Sequence, residues 1–447
     1  MQSSNHTGEA LRMLVGDDAA PRGDRAPAAG PLSGRAEIEA WMKAELARHL
    51  SVPADEIDSG EPLLSYGLDS GAAVRLAFLA EERLGMPVSP FALYEHPTLR
   101  ELAGHLASQL PAGAPPPEIL APAPTLPPPA DEEPFALTLL QQAYVWARGA
   151  RGHLLGRSCH VYMETDVDEP LDRGRLQAGF ERLVERHAML RAVFREDGRQ
   201  EILPRAPAYT LRVEDLSALP ASERDASALR IREELGHQDF DPAVWPLFDV
   251  RAARTGSGSF RLFLSMDMLL VDFQSLAILL SEWRRLYESP DRPLPPVSIE
   301  FRSYLDRLEA HRRTPRYERD RAWWTERLDT MPEPPRIRLA ADPAKLTAPR
   351  FGSKDAEVDR ATWVRIRDAA RDHGVTPSAA MGAAYAGVIA AWSGSRRFVL
   401  NLPIFDRVGF HEDVDRLVGP FTTNVLVPVD LTPGEDPWQT AKSLHRS

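Results

Sequence analysis

Cysteine is almost absent from this chain of 447 residues, which contains only Cys159. No disulfide can form within the chain, and this favours a reducing compartment, the cytoplasm. Basic residues are also scarce: 53 Lys and Arg face 65 Asp and Glu, for a net charge of −12. A nucleic-acid-binding protein normally presents a basic face, so the composition predicts no nucleic-acid partner.

Long apolar runs are missing as well. The opening "MQSSNHTGEALRMLVGDD" has neither the basic nor the apolar region of a signal peptide, and the run "SAAMGAAYAGVIAAW" is too short and alanine-rich to cross a bilayer. The twelve histidines show no metal-ligand spacing, and no glycine-rich phosphate loop is present. We therefore expect no membrane, no metal and no ATP chemistry. Cys159 and His187 are interpreted as packed residues.

Proline, in contrast, is concentrated in one place. Residues 111–134 contain ten prolines in 24 positions, a composition that favours an extended polyproline II tether between two bodies. We expect residues 1–34 to be disordered, residues 35–110 to form a helical domain, and the chain beyond Phe135 to form an α/β layered domain.

The helical region 35–110 is acidic, with twelve acidic and six basic residues. Its centre reads "LLSYGLDSGAAVRLAFLAEERLG", in which Gly67 suits a left-handed turn and Asp69 or Ser70 can cap the following helix. Taken alone, Ser70 is interpreted as a helix cap. A serine at a helix N-terminus is, however, also well placed to hold a phosphodiester near the positive end of the helix dipole.

An acidic helical module with G-L-D-S at the start of one helix and "FALYEHPTLRELAGHL" at its end resembles the acyl and peptidyl carrier proteins. The resemblance implies a four-helix fold with 4′-phosphopantetheine attached to Ser70, and with Asp69 contacting the phosphopantetheinyl transferase. Gly71 stands where the family usually has a larger apolar residue, which affects partner docking rather than attachment.

The stretch "SMDMLLVDFQSLAIL" places two carboxylates, Asp267 and Asp272, five residues apart in an apolar run. Alternation predicts a strand that ends at Asp267, with this side chain on the polar face. Apolar spacing from Phe273 onward predicts a helix capped by Asp272. The simplest interpretation is one polar residue at a strand end and one N-cap. Burying an unpaired carboxylate costs several kcal/mol, so two in one run call for a further explanation.

Five motifs occur in order after the linker, and together they resemble the heterocyclization domains of nonribosomal peptide synthetases, within the condensation superfamily. These motifs are "FALTLLQQAYVWAR", "RHAMLRAVF", "DMLLVDFQS", "NLPIFDR" and "VGPFTT". D-x-x-x-x-D replaces the H-H-x-x-x-D-G of ordinary condensation domains, and Met268 stands where those domains carry a histidine. Between Gly236 and His311 the sequence offers only His237, so a histidine general base is lacking.

The resemblance implies two chloramphenicol-acetyltransferase-like lobes, which we place at residues 135–345 and 346–447, the second of them incomplete. Asp267 and Asp272 match the family's two aspartates and are the candidate catalytic residues. We expect Asp272 to be buried in an ion pair with Arg191 of "RHAMLR", and Asp267 to face the tunnel and contribute less to stability.

The resemblance also implies a reaction in which an acyl thioester is joined to the amine of Cys, Ser or Thr and then cyclised to a thiazoline or oxazoline. The family's F-T-S and Q-T-P segments do not occur here, and Pro420 replaces an aspartate in "VGPFTT". We therefore expect a fragment of a larger synthetase, in which Thr422 and Thr423 have structural roles.

The implied partners are a phosphopantetheinyl transferase, an acyl- or aryl-adenylating enzyme or an upstream synthase, and a downstream carrier bearing Cys, Ser or Thr. The acyl group is either an aryl acid of the salicylate type or an upstream polyketide or peptide, as in siderophore-like assembly lines. Two alternatives remain open: a non-catalytic recruitment module with the condensation fold, and a plain amide-forming condensation domain. The paired aspartates argue against the first alternative, and Met268 argues against the second.

The assignment of Ser70 predicts that the chain accepts one phosphopantetheine from coenzyme A and a broad-specificity transferase. Intact-mass analysis should show a single addition to the unmodified chain and none to Ser70→Ala. Equal labelling of the two chains would show that the carrier assignment is wrong.

Overall fold

The computed structural model describes residues 34–50, 52–61, 63–66, 96–110, 133–149, 157–340, 356–408, 413–432 and 434–446, with isolated positions between 76 and 92 and at 411. Nearly all of the N-terminal segment expected to be disordered, most of the proline-rich linker, and both Asp69 and Ser70 lie outside the described residues. The four-helix count of the small domain also depends on residues outside this set.

The small domain has its own hydrophobic core. Helix α1 (Arg35–Leu50) packs against α2 (Leu99–Gln109), and Thr98 caps α2 by accepting the Glu101 N–H at 3.1 Å. Leu76, Ala80 and Leu84 are helical and buried in the same core. Their spacing of four residues places them on one helix face. The predicted helical character of this region is confirmed for its described residues.

The main sheet of the large domain has the strand order β2-β7-β6-β5. It consists of β2 (His160–Val167), β5 (Arg212–Asp215), β6 (Phe248–Gly256) and β7 (Ser259–Asp267). Strand β7 is antiparallel to both of its neighbours, whereas β5 and β6 are parallel. A smaller antiparallel sheet has the order β1-β4-β3, formed by β1 (Phe135–Ala136), β3 (Ala192–Phe194) and β4 (Arg199–Ile202).

Both faces of the main sheet are covered. The remaining helices of this part are α3 (Leu139–Arg148), α4 (Arg173–Arg186), α5 (Ala221–Gly236), α6 (Phe273–Glu288), α7 (Phe301–His311) and α8 (Pro315–Leu328). On one face Leu264 and Met266 join the core that contains α4 and α6; on the other, Phe263 packs with residues of α5. The expected α/β layering is confirmed, and β7 is buried on both sides.

The C-terminal part forms a second, smaller body of helices on a two-stranded sheet. It comprises α9 (Arg360–Asp372), α10 (Pro377–Ser393), β8 (Arg397–Phe405), β9 (Thr422–Asp430) and α11 (Pro437–Arg446). Helix α10 begins at the cap Thr376 and ends at Gly394, whose φ of 69° is left-handed and therefore favours glycine. No single described helix is long and apolar enough to cross a membrane; α10 and Ala361–Asp372 pass that test only as a pair bent by 101°.

The segment between β8 and β9 leaves this smaller body and enters the main core. Val414, Leu417, Val418 and Phe421 are buried together with residues of α6 and α7. At Gly419 the approach is so close that a Cβ atom would lie 2.5 Å from Cδ2 of Phe301. Only glycine fits there, and the two parts of the large domain are joined by a packed contact.

This contact predicts the effect of a single methyl group. Gly419→Ala should destabilise the chain by about 1–3 kcal/mol, because the added Cβ forces the ring of Phe301 out of a filled core. Urea unfolding of the intact chain measures the loss.

Gly387→Ala is the matched control, since Gly387 lies inside α10 with no atom near the position of its Cβ. It should leave stability unchanged or raise it by about 0.5–1 kcal/mol, the ordinary gain for Gly to Ala in a helix. Equal effects of the two substitutions would contradict the packing argument.

Candidate functional site

The two aspartates flank a short connection between strand and helix, as predicted. Asp267 is the last residue of β7, and Asp272 is the N-cap of α6, accepting the Ser275 N–H at 2.7 Å. The connection, residues 268–271, begins with a turn in which Asp267 Oδ1 accepts the Leu269 N–H at 2.9 Å. This connection is called the aspartate loop below.

Asp267 is fully buried and forms an ion pair with Arg148, the last residue of α3. One guanidinium nitrogen, Nη2, lies 2.5 Å from Oδ1 and 2.7 Å from Oδ2 of the carboxylate. Burial raises the pKa of Asp267, and Arg148 acts in the opposite direction. The expectation that Asp267 faces an open tunnel is wrong, because the polar face of β7 is itself covered at this strand end.

Asp272 is also fully buried, and its partner is Arg407 from the end of the "NLPIFDR" motif. Arg407 Nη2 donates to Asp272 Oδ1 at 3.1 Å, and neither side chain is exposed. Nη1 donates to the carbonyls of Val414 and Leu417, and the guanidinium lies 3.9 Å from the ring centroid of Phe421. One buried cation therefore holds the aspartate loop and the segment between β8 and β9 together.

The expected pairing of Asp272 with Arg191 is wrong. Arg191 Nη1 donates to the carbonyls of Val184 and Glu185, and its Nε donates to Leu203 O at 3.0 Å. The first two carbonyls belong to the last turn of α4, where backbone acceptors have no partner within the helix. Arg191 therefore caps the C-terminal end of α4, an arrangement also favoured by the helix dipole.

Ser275 connects the same elements through its hydroxyl group. Its Oγ donates to Gly419 O at 2.8 Å and accepts the Gly419 N–H at 3.1 Å and Arg407 Nη2 at 2.8 Å. All three contacts are buried. The first turn of α6 is thus fixed to the peptide groups of the "VGPFTT" motif.

Gln141 holds the aspartate loop from the opposite side. Its side-chain amide, which is fully buried, donates to Leu269 O at 2.9 Å and to Gln200 Oε1 at 3.0 Å. Its carbonyl oxygen accepts the Thr138 N–H, which completes the capping box of α3. Gln141 and Arg148, at the two ends of α3, thereby fix the loop and the aspartate that precedes it.

Met268 differs from the rest of the loop. It is half-buried, whereas both neighbouring residues and the two that follow Leu269 are fully enclosed. The position that holds a histidine in ordinary condensation domains is therefore the accessible one, and here it carries a thioether that cannot act as a base at neutral pH.

The two threonines of "VGPFTT" begin β9, with Thr422 half-buried and Thr423 exposed. His187 is buried against Glu282, with Nε2 at 2.8 Å from Oε2, so the prediction of a packed histidine is confirmed. Cys159 is a free, half-buried thiol. Among the described residues no group of His, Cys, Asp and Glu could hold a metal ion.

Sequence reasoning missed Arg148, Arg407, Gln141 and Gly419, and it gave Ser275 no role. Both arginines close motifs already singled out by the sequence, "FALTLLQQAYVWAR" and "NLPIFDR". A buried aspartate needs a cation, and each of these two motifs ends in an arginine. Looking for one arginine at a motif end for each aspartate would therefore have found both.

Two family models match this chain. Residues 137–446 match the condensation domain family, and residues 40–106 match the phosphopantetheine attachment site family. Phenyloxazoline synthase MbtB of Mycolicibacterium paratuberculosis is 34% identical over 400 residues, which is 87% of this chain and 33% of the relative. Pyochelin synthetase PchE of Pseudomonas aeruginosa is 33% identical over 429 residues, which is 93% of this chain and 29% of the relative.

The chain thus spans about a third or less of these curated relatives. Among solved structures, the EpoB cyclization-docking bidomain of Sorangium cellulosum superposes with a TM-score of 0.67 at 32% identity, over 78% of this chain and 69% of that one. The two-lobed α/β fold expected for the large domain is confirmed by this likeness. The chain belongs to the condensation-domain family of the nonribosomal peptide synthetases and carries a phosphopantetheine attachment domain ahead of its condensation domain.

Proposed function

We propose that this chain is the carrier and heterocyclization portion of a nonribosomal peptide synthetase. The carrier holds an acyl or aryl group as a thioester on phosphopantetheine attached to Ser70, with Asp69 contacting the transferase. The large domain transfers this group to the amine of a carrier-bound Cys, Ser or Thr, forming an amide and releasing the carrier thiol. The side-chain thiol or hydroxyl then adds to the amide carbonyl, and loss of water gives a thiazoline or oxazoline.

The aspartate loop is the observation that supports this proposal most directly. The accessible position of the loop holds Met268 instead of a basic side chain, while both flanking aspartates are kept as buried ion pairs. A plain amide-forming condensation domain would place its histidine at that position. This chain is also similar to a phenyloxazoline synthase, to a pyochelin synthetase and to a solved cyclization domain.

Asp267 and Asp272 serve this reaction by positioning rather than by proton transfer. Each carboxylate is fully buried and bound to an arginine, and neither presents an oxygen to solvent. A proton shuttle must reach the proton that it transfers. The pairs instead fix the two ends of the loop, so that the half-buried residue at position 268 keeps one geometry.

A non-catalytic recruitment module is the second candidate. Such a module would retain the fold but would have no need for two ion pairs around one short loop. Burying an ion pair is often no better for stability than packed apolar residues. Keeping both pairs therefore favours a role in which loop geometry matters.

The proposed partners are a phosphopantetheinyl transferase, an adenylating enzyme or upstream synthase that supplies the acyl group, and a downstream carrier bearing Cys, Ser or Thr. Carrier and condensation domains, as a class, act together with enzymes and carriers of these kinds. We place the protein in the cytoplasm, without nucleic-acid or membrane partners, as its acidic charge and single free thiol suggest.

Loading and transfer should be visible by mass. The primed chain, incubated with a panel of acyl- and aryl-adenylating enzymes, should gain one acyl group on the pantetheine arm. With cysteinyl-, seryl- or threonyl-carrier added, the acyl group should move to that carrier as an amide, or as a product lighter by one water.

Ser70→Ala is the control for loading, and Met268→His tests the assignment of the loop. Restoring a histidine should not be needed for transfer. If transfer occurs only after Met268→His, the chain is a degenerate amide-forming domain. If the acyl group is loaded but is transferred to no carrier, the recruitment module is favoured.

The positioning role of Asp272 predicts strong coupling with Arg407. Asp272→Ala and Arg407→Ala should each cost about 3–5 kcal/mol, because each leaves an uncompensated buried charge. The double variant should cost clearly less than the sum of the two. Urea unfolding of the three variants measures the coupling energy.

Arg191→Ala provides the matched control in the same cycle. Since Arg191 binds the end of α4 and not Asp272, its loss should add to that of Asp272→Ala within about 0.5 kcal/mol. Additive losses for Asp272 and Arg407, or coupling between Asp272 and Arg191, would contradict the pairing seen in the structure.

A further inference from the structure

A histidine does lie beside the aspartate loop, and it comes from strand β2. In the β2–β7 ladder His160 is the direct partner of Asp267. Just beyond this pair, the Met268 N–H donates to Cys159 O at 2.9 Å. Directly opposed residues project to the same face of a sheet, with Cβ atoms about 4.5–5.5 Å apart. His160 therefore flanks the loop at the end where the half-buried Met268 begins it.

The ring of His160 has more freedom to bind a ligand than the rings of two other histidines of the large domain. His187 is enclosed against Glu282, and His237 Nε2 is enclosed without a hydrogen-bond partner at the end of α5. His160 is half-buried, and its ring lies edge-on to Phe240 at a centroid distance of 6.0 Å. Its Nε2 is not enclosed and has no hydrogen-bond partner among the described residues. One nitrogen of an oriented ring is thus left for a bound group.

The hydrogen bonds of Ser158 determine which nitrogen of this ring carries the hydrogen. A serine hydroxyl has a single hydrogen, and Ser158 Oγ donates it to Gln238 O at 3.1 Å. Toward His160 the same oxygen can only accept, so Nδ1, at 3.4 Å, is the donor. In a neutral imidazole the other nitrogen then holds the lone pair. Nε2 of His160 is therefore able to accept a proton.

The charges around the ring compensate one another. Two ion pairs lie on the elements that surround it, Arg148–Asp267 and Arg157–Asp239. The Cys159 thiol and the Tyr144 hydroxyl are uncharged at neutral pH, because burial raises the pKa of both. No excess of either sign therefore locks the imidazole in its neutral or in its protonated form.

We propose that His160 transfers the proton in the amide-forming step, from β2 instead of from position 268. The amine nitrogen of the carrier-bound Cys, Ser or Thr attacks the thioester carbonyl, and Nε2 accepts the N–H proton as the C–N bond forms. The C–S bond then breaks, and the imidazolium returns this proton to the departing pantetheine sulfur. The products are an amide and a free carrier thiol, with His160 neutral again. This assignment rests on the proposed function.

Removing the imidazole should slow transfer and leave loading intact. In the primed chain His160→Gln should lower the rate of amide formation about 100-fold or more, the usual contribution of a general base. Loading of the acyl group and the midpoint of urea unfolding should stay as in the wild type. His237→Gln is the matched control and should leave transfer unchanged. Equal rates of transfer in His160→Gln and in the wild type overturn the proposal.

Two further measurements separate proton transfer from a structural role. The ratio of the wild-type rate to the His160→Gln rate cancels the titration of the acceptor amine. This ratio should fall toward one as the pH is lowered from about 8 to about 5.5, because a protonated imidazole cannot act as a base. Added imidazole should restore part of the transfer rate in His160→Ala. A ratio that does not change with pH, together with no rescue, makes His160 a structural residue and overturns the proposal.

The position of the ring hydrogen gives an answer that does not depend on activity. In the Ser70→Ala chain labelled with nitrogen-15 in its histidines, the His160 signals are those absent from His160→Gln. Above about pH 8, where the ring is neutral, Nδ1 should carry the hydrogen and Nε2 should have the shift of an unprotonated nitrogen. Ser158→Ala should weaken this preference. A neutral ring with its hydrogen on Nε2 overturns the proposal even if the chain is active. Failure of the wild-type chain to transfer any acyl group would instead be a failure of the proposed function.

Discussion

A fully buried cation, Arg407, determines how the parts of this domain are arranged. A guanidinium group removed from water must find acceptors for its N–H groups or cost several kcal/mol. Arg407 finds them in one carboxylate, one hydroxyl and two backbone carbonyls, and it stacks on an aromatic ring. These acceptors come from α6 and from the segment between β8 and β9. Satisfying this one charge therefore brings Arg407 together with Asp272 and Ser275, which lie 135 and 132 positions earlier in the chain.

The end of the aspartate loop at Asp267 is fixed in the same way, by a buried ion pair. Asp267 is as deeply buried as Asp272, and Arg148 from α3 compensates it. Gln141, at the start of the same helix, binds the loop carbonyl of Leu269. The loop is thus held by α3 on one side and by Arg407 on the other. Position 268 is left half-buried between two fixed ends, and it carries no basic side chain.

Local features of this site could be predicted from the sequence, and long-range ones could not. The strand end at Asp267 and the N-cap at Asp272 follow from alternation, helical spacing and capping preference, all of which are properties of adjacent residues. Which arginine pairs with which aspartate depends on tertiary structure. Arg191 does not pair with Asp272 because its guanidinium binds the carbonyls at the end of α4. The burial of Asp267 was missed for a related reason. Alternation separates the two faces of a strand, but it cannot tell that both faces of this sheet are covered.

The two aspartates are held in a way that suits anchoring better than proton transfer. A carboxylate locked against a guanidinium in the interior is a poor proton acceptor for a substrate, since it must lose its partner before it can reach one. It is, however, an effective anchor. Asp272 anchors the first turn of α6 through Arg407 and Ser275, and Asp267 fixes Arg148 at the end of α3. Two acidic residues that look like an acid–base pair in the sequence therefore act in the structure as the fixed points of a loop, and the group that each one holds in place is a cation.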